Sequence, residues 1–120
     1  MKDLKTIGRY LFALPFGIFG LMHLMSAGDM AGMVPSFIPG GVLWVYLTGF
    51  ALIAATVSFI IQKHVHLAAL LTAALMIVFV LTIHLPAVIG GNMMSMGSLL
   101  KDLGLAGGAL LLASHYQEDY

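Results

Sequence analysis

The stretch from Leu67 to Ile89 reads LAALLTAALMIVFVLTIHLPAVI, 23 residues without one Asp, Glu, Lys or Arg. A helix needs roughly 20 apolar residues to cross the hydrocarbon core of a bilayer. This stretch is apolar all round rather than along one stripe, so it has no face to turn toward water. The same reading applies to Ile7–Met25, Val42–Gln62 and about Ser98–Ser114. The expected fold is therefore all-α, a polytopic membrane protein with a four-transmembrane-helix antiparallel bundle. A single membrane domain occupies 1–120, with spans at about 7–25, 42–62, 67–89 and 98–114.

The connections carry the expected breakers. Residues 26–41 contain Asp29, Pro35, Pro39 and the Gly40-Gly41 pair, a density that ends one helix and delays the next. Trp44 and Tyr46 then sit where an aromatic belt would meet the interface. Lys63-His64-Val65-His66 makes a polar turn, Pro86 is read as the frayed end of the third span, and 90–97 is the last connection.

Composition agrees with the spans. The 120 residues are 61% hydrophobic and 8% charged, with mean hydropathy +1.04, against about 25% charged residues in soluble domains. Five basic and five acidic side chains are too few to cover a water-soluble globule of this size, whereas lipid can cover it. The formal net charge is zero and no basic run occurs, so a nucleic-acid footprint is absent. With no cysteine, disulfides, thiolate metal sites and thiol redox chemistry are excluded. The run Tyr10–Gly28 is free of charged residues for 19 positions, longer than a signal-peptide core of roughly 7–15, and is read as a retained first span.

Orientation follows from Lys and Arg. Lys2, Lys5, Arg9 and Lys63 share one side of a four-span chain, and the loops 26–41 and 90–97 contain neither residue type. The positive-inside rule then places both termini of this multi-pass chain in the cytoplasm. A three-span alternative keeps the last segment at the interface because Lys101 and Asp102 interrupt it. Four spans are preferred, since a bundle can shelter an adjacent pair of charges on an inward face.

Ionisable groups inside spans face the bundle interior or a water-filled cavity by default. His23 lies two residues before the end of the first span, His84 lies near the end of the third, and Lys101 and Asp102 lie in the first turn of the fourth. All four belong to the outer end, and this convergence makes them candidates for ligand binding or proton handling. The plainer readings are interhelical hydrogen bonds for the histidines and snorkelling for Lys101. Asp102 is too short to snorkel and requires a partner, His23 or His84, with which it could relay a proton. Arg9 is assigned a topological task at the cytoplasmic interface. His64 and His66 lack a third nearby ligand for a metal.

Met22, Met25, Met30, Met33, Met93, Met94 and Met96 also map to the outer end or its loops. Thioethers select Cu(I), which leaves Met22, Met25, Met93 and Met96 as weak metal candidates. Flexible apolar filling is the simpler use of methionine, and no metal is assigned. Gly104 and Gly108 form a small-xxx-small pair, and Gly17 and Gly20 do similar work in the first span, letting helices approach closely. Pro15 is expected to bend the first span. No nucleotide loop, zinc-protease, nucleophile-elbow or CxxC motif is present.

Several segments together resemble the DoxX family of small four-span bacterial membrane proteins. They are Ile7-Gly8-Arg9, Ile18-Phe19-Gly20-Leu21-Met22-His23, Leu47-Thr48-Gly49-Phe50-Ala51-Leu52-Ile53, Lys101-Asp102-Leu103 and Ala106-Gly107-Gly108-Ala109-Leu110-Leu111. Val34-Pro35-Ser36-Phe37-Ile38-Pro39 with Trp44-Val45-Tyr46 looks like a subgroup common in Bacteroidetes. The resemblance implies a four-span fold and association with membrane oxidoreductase assemblies. Many members carry Lys where this chain has His23, and no catalytic residue is carried over.

The expectation is an accessory subunit or quinone-like small-molecule binder of a membrane redox system. A quinone or haem is compatible with these residues, and neither is required. Expected partners are the lipid bilayer, oxidoreductase subunits or a second copy of the chain. The alternatives are an assembly protein without chemistry, and a copper-handling or transport protein using the outer Met and His residues. These residues leave open whether the chain is an enzyme.

Overall fold

The computed structural model describes residues 2–30, 32 and 39–116. Met33, the motif over 34–38 with its Pro35, the Met30 side chain and the tail 117–120 lie outside the described residues. Among the described residues the regular structure is helical. The elements are α1 (Lys2–Met25), the short α2 (Ala27–Met30), α3 (Gly41–Ile61), α4 (Val65–Ile89) and α5 (Ser95–His115).

α1, α3, α4 and α5 are long and apolar enough to cross a membrane. In none of them is more than 28% of the most apolar window buried inside the protein. Leu11, Leu14, Phe50, Leu71, Leu81 and Leu111 all stand exposed. Contiguous apolar surface on this scale calls for an apolar solvent, and the bilayer supplies one.

Two helices begin before the apolar runs do, α1 at Lys2 and α5 at Ser95. Hydropathy marks where lipid begins, while backbone hydrogen bonding continues into the polar flanks. α2 inserts a helical turn into a connection expected to be irregular. Pro15 lies inside α1, which the proline does not interrupt.

α1 packs against α3 and α4 against α5, while α3 and α4 meet more sparsely. Ala13 and Phe16 of α1, Leu52 and Phe59 of α3, Val65, Ala69 and Met76 of α4, and Ala106 and Ala113 of α5 form the buried cluster. Phe12 joins it, tilted against Phe16 at 4.8 Å between ring centroids and against Phe59 at 5.8 Å. Contacts at one end fix the helix directions. Lys5 donates to the His115 carbonyl at 3.2 Å, Arg9 to the Phe59 carbonyl at 2.6 Å, and His66 Nδ1 to the Ala113 carbonyl at 2.7 Å. The starts of α1 and α4 therefore lie beside the ends of α3 and α5.

Glycine governs the closest approach. A Cβ on Gly20 would stand 2.7 Å from Ile53 Cγ1 and 2.9 Å from the Gly49 carbonyl oxygen, so α1 and α3 touch there backbone to backbone. Gly17 abuts Thr56 and Gly108 abuts Phe12. Gly104 departs from the expected packing pair. A Cβ there would meet nothing within 4 Å, and the residue is exposed. One turn of α5 away, Gly108 is half-buried, so the two glycines do not share a packed face.

The third span also departs from expectation. Pro86 does not fray it, because the helix runs on to Ile89 through a π-turn at Val80–His84. The Leu85 N–H bonds to the Val80 carbonyl, five residues back. Thr82 Oγ1 donates to the Val78 carbonyl at 2.7 Å. Proline has no N–H and its ring crowds the carbonyl four residues earlier. Widening the preceding turn relieves that crowding without ending the helix.

Candidate functional site

At the end opposite Lys5 and Arg9, a cavity of about 560 Å³ opens among α1, α3, α4 and α5. Its size falls within the roughly 300–1,000 Å³ range of small-molecule sites. Phe19, Trp44, Leu75 and Phe79 supply much of its apolar wall. His23, His84, Lys101 and Asp102 all line it, so the structure brings together all four ionisable residues that the sequence assigned to this depth.

Asp102 is 4% exposed. Its Oδ2 accepts from His84 Nε2 at 2.8 Å, and Lys101 Nζ lies 3.7 Å from Oδ1. Of the two histidines named as partners, the aspartate takes His84. The π-turn ends at His84, and α5 presents Asp102 to it. A buried carboxylate without such partners would be strongly unfavourable. With both present, one negative and one positive charge meet beside an imidazole. Since a carboxylate only accepts, Nε2 carries the proton, and a neutral His84 then has Nδ1 as its acceptor nitrogen.

His23 is fixed differently. Its Nδ1 lies 2.6 Å from the Phe19 carbonyl of its own helix. A carbonyl cannot donate, so Nδ1 is the donor and Nε2 keeps a lone pair in the neutral ring. Lys101 is half exposed and sits over the Phe19 ring, 4.8 Å from its centroid. The ammonium is thus positioned at the cavity wall, with donors available to a bound group.

The sequence reading missed the contribution of α3. Trp44, assigned to an aromatic belt, lines the cavity, and its indole N–H donates to the Pro39 carbonyl at 2.6 Å. Thr48, four residues later and hence on the same helical face, lines it as well. Thr82 in the π-turn and Ser98 in the first turns of α5 complete the hydroxyl groups. The Trp44/Thr48 spacing was the available signal, whereas the π-turn left none beyond Pro86.

The methionines do not gather with the histidines. Met22 lines the cavity, but Met25 is 84% exposed and Met93 64% exposed, and Met96 is not among the lining residues. Among the described residues no group of three or more His, Cys, Asp or Glu is arranged to hold a metal ion. His66 bonds across to α5, and His64 adopts a left-handed backbone at the start of α4. Arg9 is buried, with its guanidinium on the Phe59 and Ile60 carbonyls.

A family model described as a domain of unknown function (DUF8561) matches residues 12–99, and the chain belongs to that family. The match takes in His23, Trp44, Thr48 and His84 and ends ahead of Lys101 and Asp102. No curated protein and no solved structure matches the chain.

Proposed function

We propose that this DUF8561 member binds a quinone-like small molecule as an accessory subunit of a membrane redox system. In this reading the four spans form an antiparallel bundle in the bacterial inner membrane, with both termini cytoplasmic and the cavity near the outer face. The observation that carries it is the His84–Asp102 pair, 2.8 Å apart beside Lys101 and His23 in a mostly apolar cavity. A DoxX-like context rests on the sequence resemblance alone.

The donor and acceptor set suits both redox forms of such a ligand. Quinone carbonyls accept hydrogen bonds, and the Lys101 ammonium offers them. Quinol hydroxyls donate, and the lone-pair nitrogen of a neutral His23 can accept. The His84–Asp102 pair can hold a proton next to the ring and pass it on. The electrons must come from a cofactor on another subunit, because unaided side chains do not perform that step.

The test is equilibrium binding of a tail-less dimethoxy-methyl-benzoquinone to the chain in lipid nanodiscs, with native mass spectrometry of the complex. Lys101→Met, which removes the donor, should weaken binding of the quinone about tenfold, and His23→Ala, which removes the lone pair, should weaken binding of the reduced quinol form about as much. Circular dichroism should stay unchanged. Equal retention by wild type and both variants would reject the site. A second reading, an assembly protein without chemistry, is favoured by the open α5 face around Gly104 and Gly107. It expects both variants to keep their function while substitutions on that face abolish it.

A further inference from the structure

A second cavity, of about 520 Å³, lies between α3 and α4 on the side of the Lys63 turn. Its walls are small and apolar, with Ala51, Ala54, Ala55 and Ala68 set against Leu67 and Leu71. Alanine at these positions explains the sparse contact between α3 and α4, because short side chains leave a furrow that neither helix fills. Ser58 and His64 mark its far end. Thr72, the other hydroxyl in the wall, donates to the Ala68 carbonyl of its own helix at 2.8 Å and presents little free polarity.

The two cavities share walls. Leu52 and Leu75 line both, so the furrow adjoins the floor of the outer cavity at these two side chains. Along α3 it extends from the level of Ala51 to that of Ser58, a rise of about 10 Å. A polar group can sit beside His84 and Asp102, and the furrow offers a hydrocarbon chain an apolar surface adjoining that position.

We propose that the ligand of the outer cavity carries a long apolar tail and that this tail lies in the furrow between α3 and α4. This rests on the head-group reading given above and adds to it the ligand's shape and register. An isoprenoid or alkyl tail fits, and a compact water-soluble ligand would leave the furrow to bulk lipid. Burial alone does not hold the tail there, because lipid is as apolar as the alanine wall. Its position is set by attachment to the head and by packing in the furrow.

The experiment uses the full chain in nanodiscs and a benzoquinone whose decyl tail ends in a diazirine. After photolysis, labelled peptides are mapped by mass spectrometry. Labels should concentrate on the 51–58 and 67–75 segments, and excess tail-less benzoquinone should suppress them about fivefold. Ala68→Phe, which fills the furrow, should suppress the same labels while binding of the tail-less probe is retained. Ala54→Leu, on the exposed rim, is the milder second variant should the first fail to fold. Labels spread evenly over lipid-facing residues such as Leu110 and Leu111, and insensitive to the tail-less probe, would mean annular lipid and overturn the inference. Labels confined to the open face of α5 would mean a second copy and overturn it too. If the tail-less probe does not bind, the head-group reading and this inference fall together. If it binds and the furrow stays unlabelled, only the inference falls.

Discussion

Arg9 and Asp102, 5% and 4% exposed, are the buried charged side chains among the described residues, and they sit at opposite ends of the molecule. Asp102 is compensated by His84 and Lys101. Arg9 relies on backbone instead. One guanidinium nitrogen donates to the Phe59 carbonyl at 2.6 Å and the Ile60 carbonyl at 3.3 Å, at the end of α3. Carbonyls there have no intrahelical partner and carry the negative end of the helix dipole, so a cation is well placed. The fit is incomplete, since Nε is buried without a hydrogen-bond partner. Arg9→Met should therefore destabilise the fold by about 1.5–3 kcal/mol, the range for hydrogen bonds to charged groups. Arg9→Lys should recover part of that loss. Unfolding by SDS titration measures both, and an Arg9→Met variant as stable as wild type would show the contact to be energetically empty. Both residues stood out in the sequence because charges within spans are rare, but their partners did not. Choosing His84 over His23 for Asp102 depends on the π-turn of α4. Placing Arg9 under Phe59 depends on the register between α1 and α3. Neither is encoded in spacing along one segment.

Between elements, the decisive contacts are those of the smallest residues. Span existence was legible because 20-odd apolar residues in a row have few alternatives. Which glycine faces which helix was not, since every glycine on an apolar helix looks alike until the neighbour is placed. Gly20 meets Gly49 backbone to backbone, while Gly104 faces open space. These two positions make a matched pair of opposite sign. Gly20→Ala forces a Cβ to within 2.9 Å of the Gly49 carbonyl oxygen; the backbones must separate, at a cost of about 1–3 kcal/mol. Gly104→Ala meets nothing and gains helix propensity, up to about 1 kcal/mol. Thermal unfolding in one detergent should show the first variant melting earlier and the second at or above wild type. A Gly104→Ala variant that loses stability would instead reveal a partner packed on that face. The π-turn follows the same logic. Pro86 announced a disturbance, but proline permits an end, a kink or a widened turn. Here the widened turn lets the helix continue while still bringing His84 to Asp102.

For the whole molecule, charge and packing describe the same axis. Lys5, Arg9, His66 and the end of α5 meet at one end, whereas His23, His84, Lys101 and Asp102 meet at the other. The long dimension of 44 Å matches a bilayer with its headgroup regions, about 40–45 Å. Every Lys and Arg except Lys101 belongs to the first end or to its turn at Lys63, and Lys101 is engaged with Asp102 and Phe19. The orientation proposed above, which follows the positive-inside rule, puts that end in the cytoplasm. The absence of cysteine makes the orientation directly measurable, because a single introduced thiol is the whole signal. Met93→Cys places a thiol on an exposed residue between α4 and α5, and Ser114→Cys places one on an exposed residue in the last turn of α5. In spheroplasts, a membrane-impermeant maleimide should label Met93→Cys at once and Ser114→Cys only after lysis. The reverse pattern would invert the chain and put the His84–Asp102 cavity on the cytoplasmic side. That would leave the cavity's geometry intact but change the compartment that the proposed proton relay faces. Labelling of both sites before lysis would be incompatible with an odd number of membrane crossings between them, and with α5 as the fourth span.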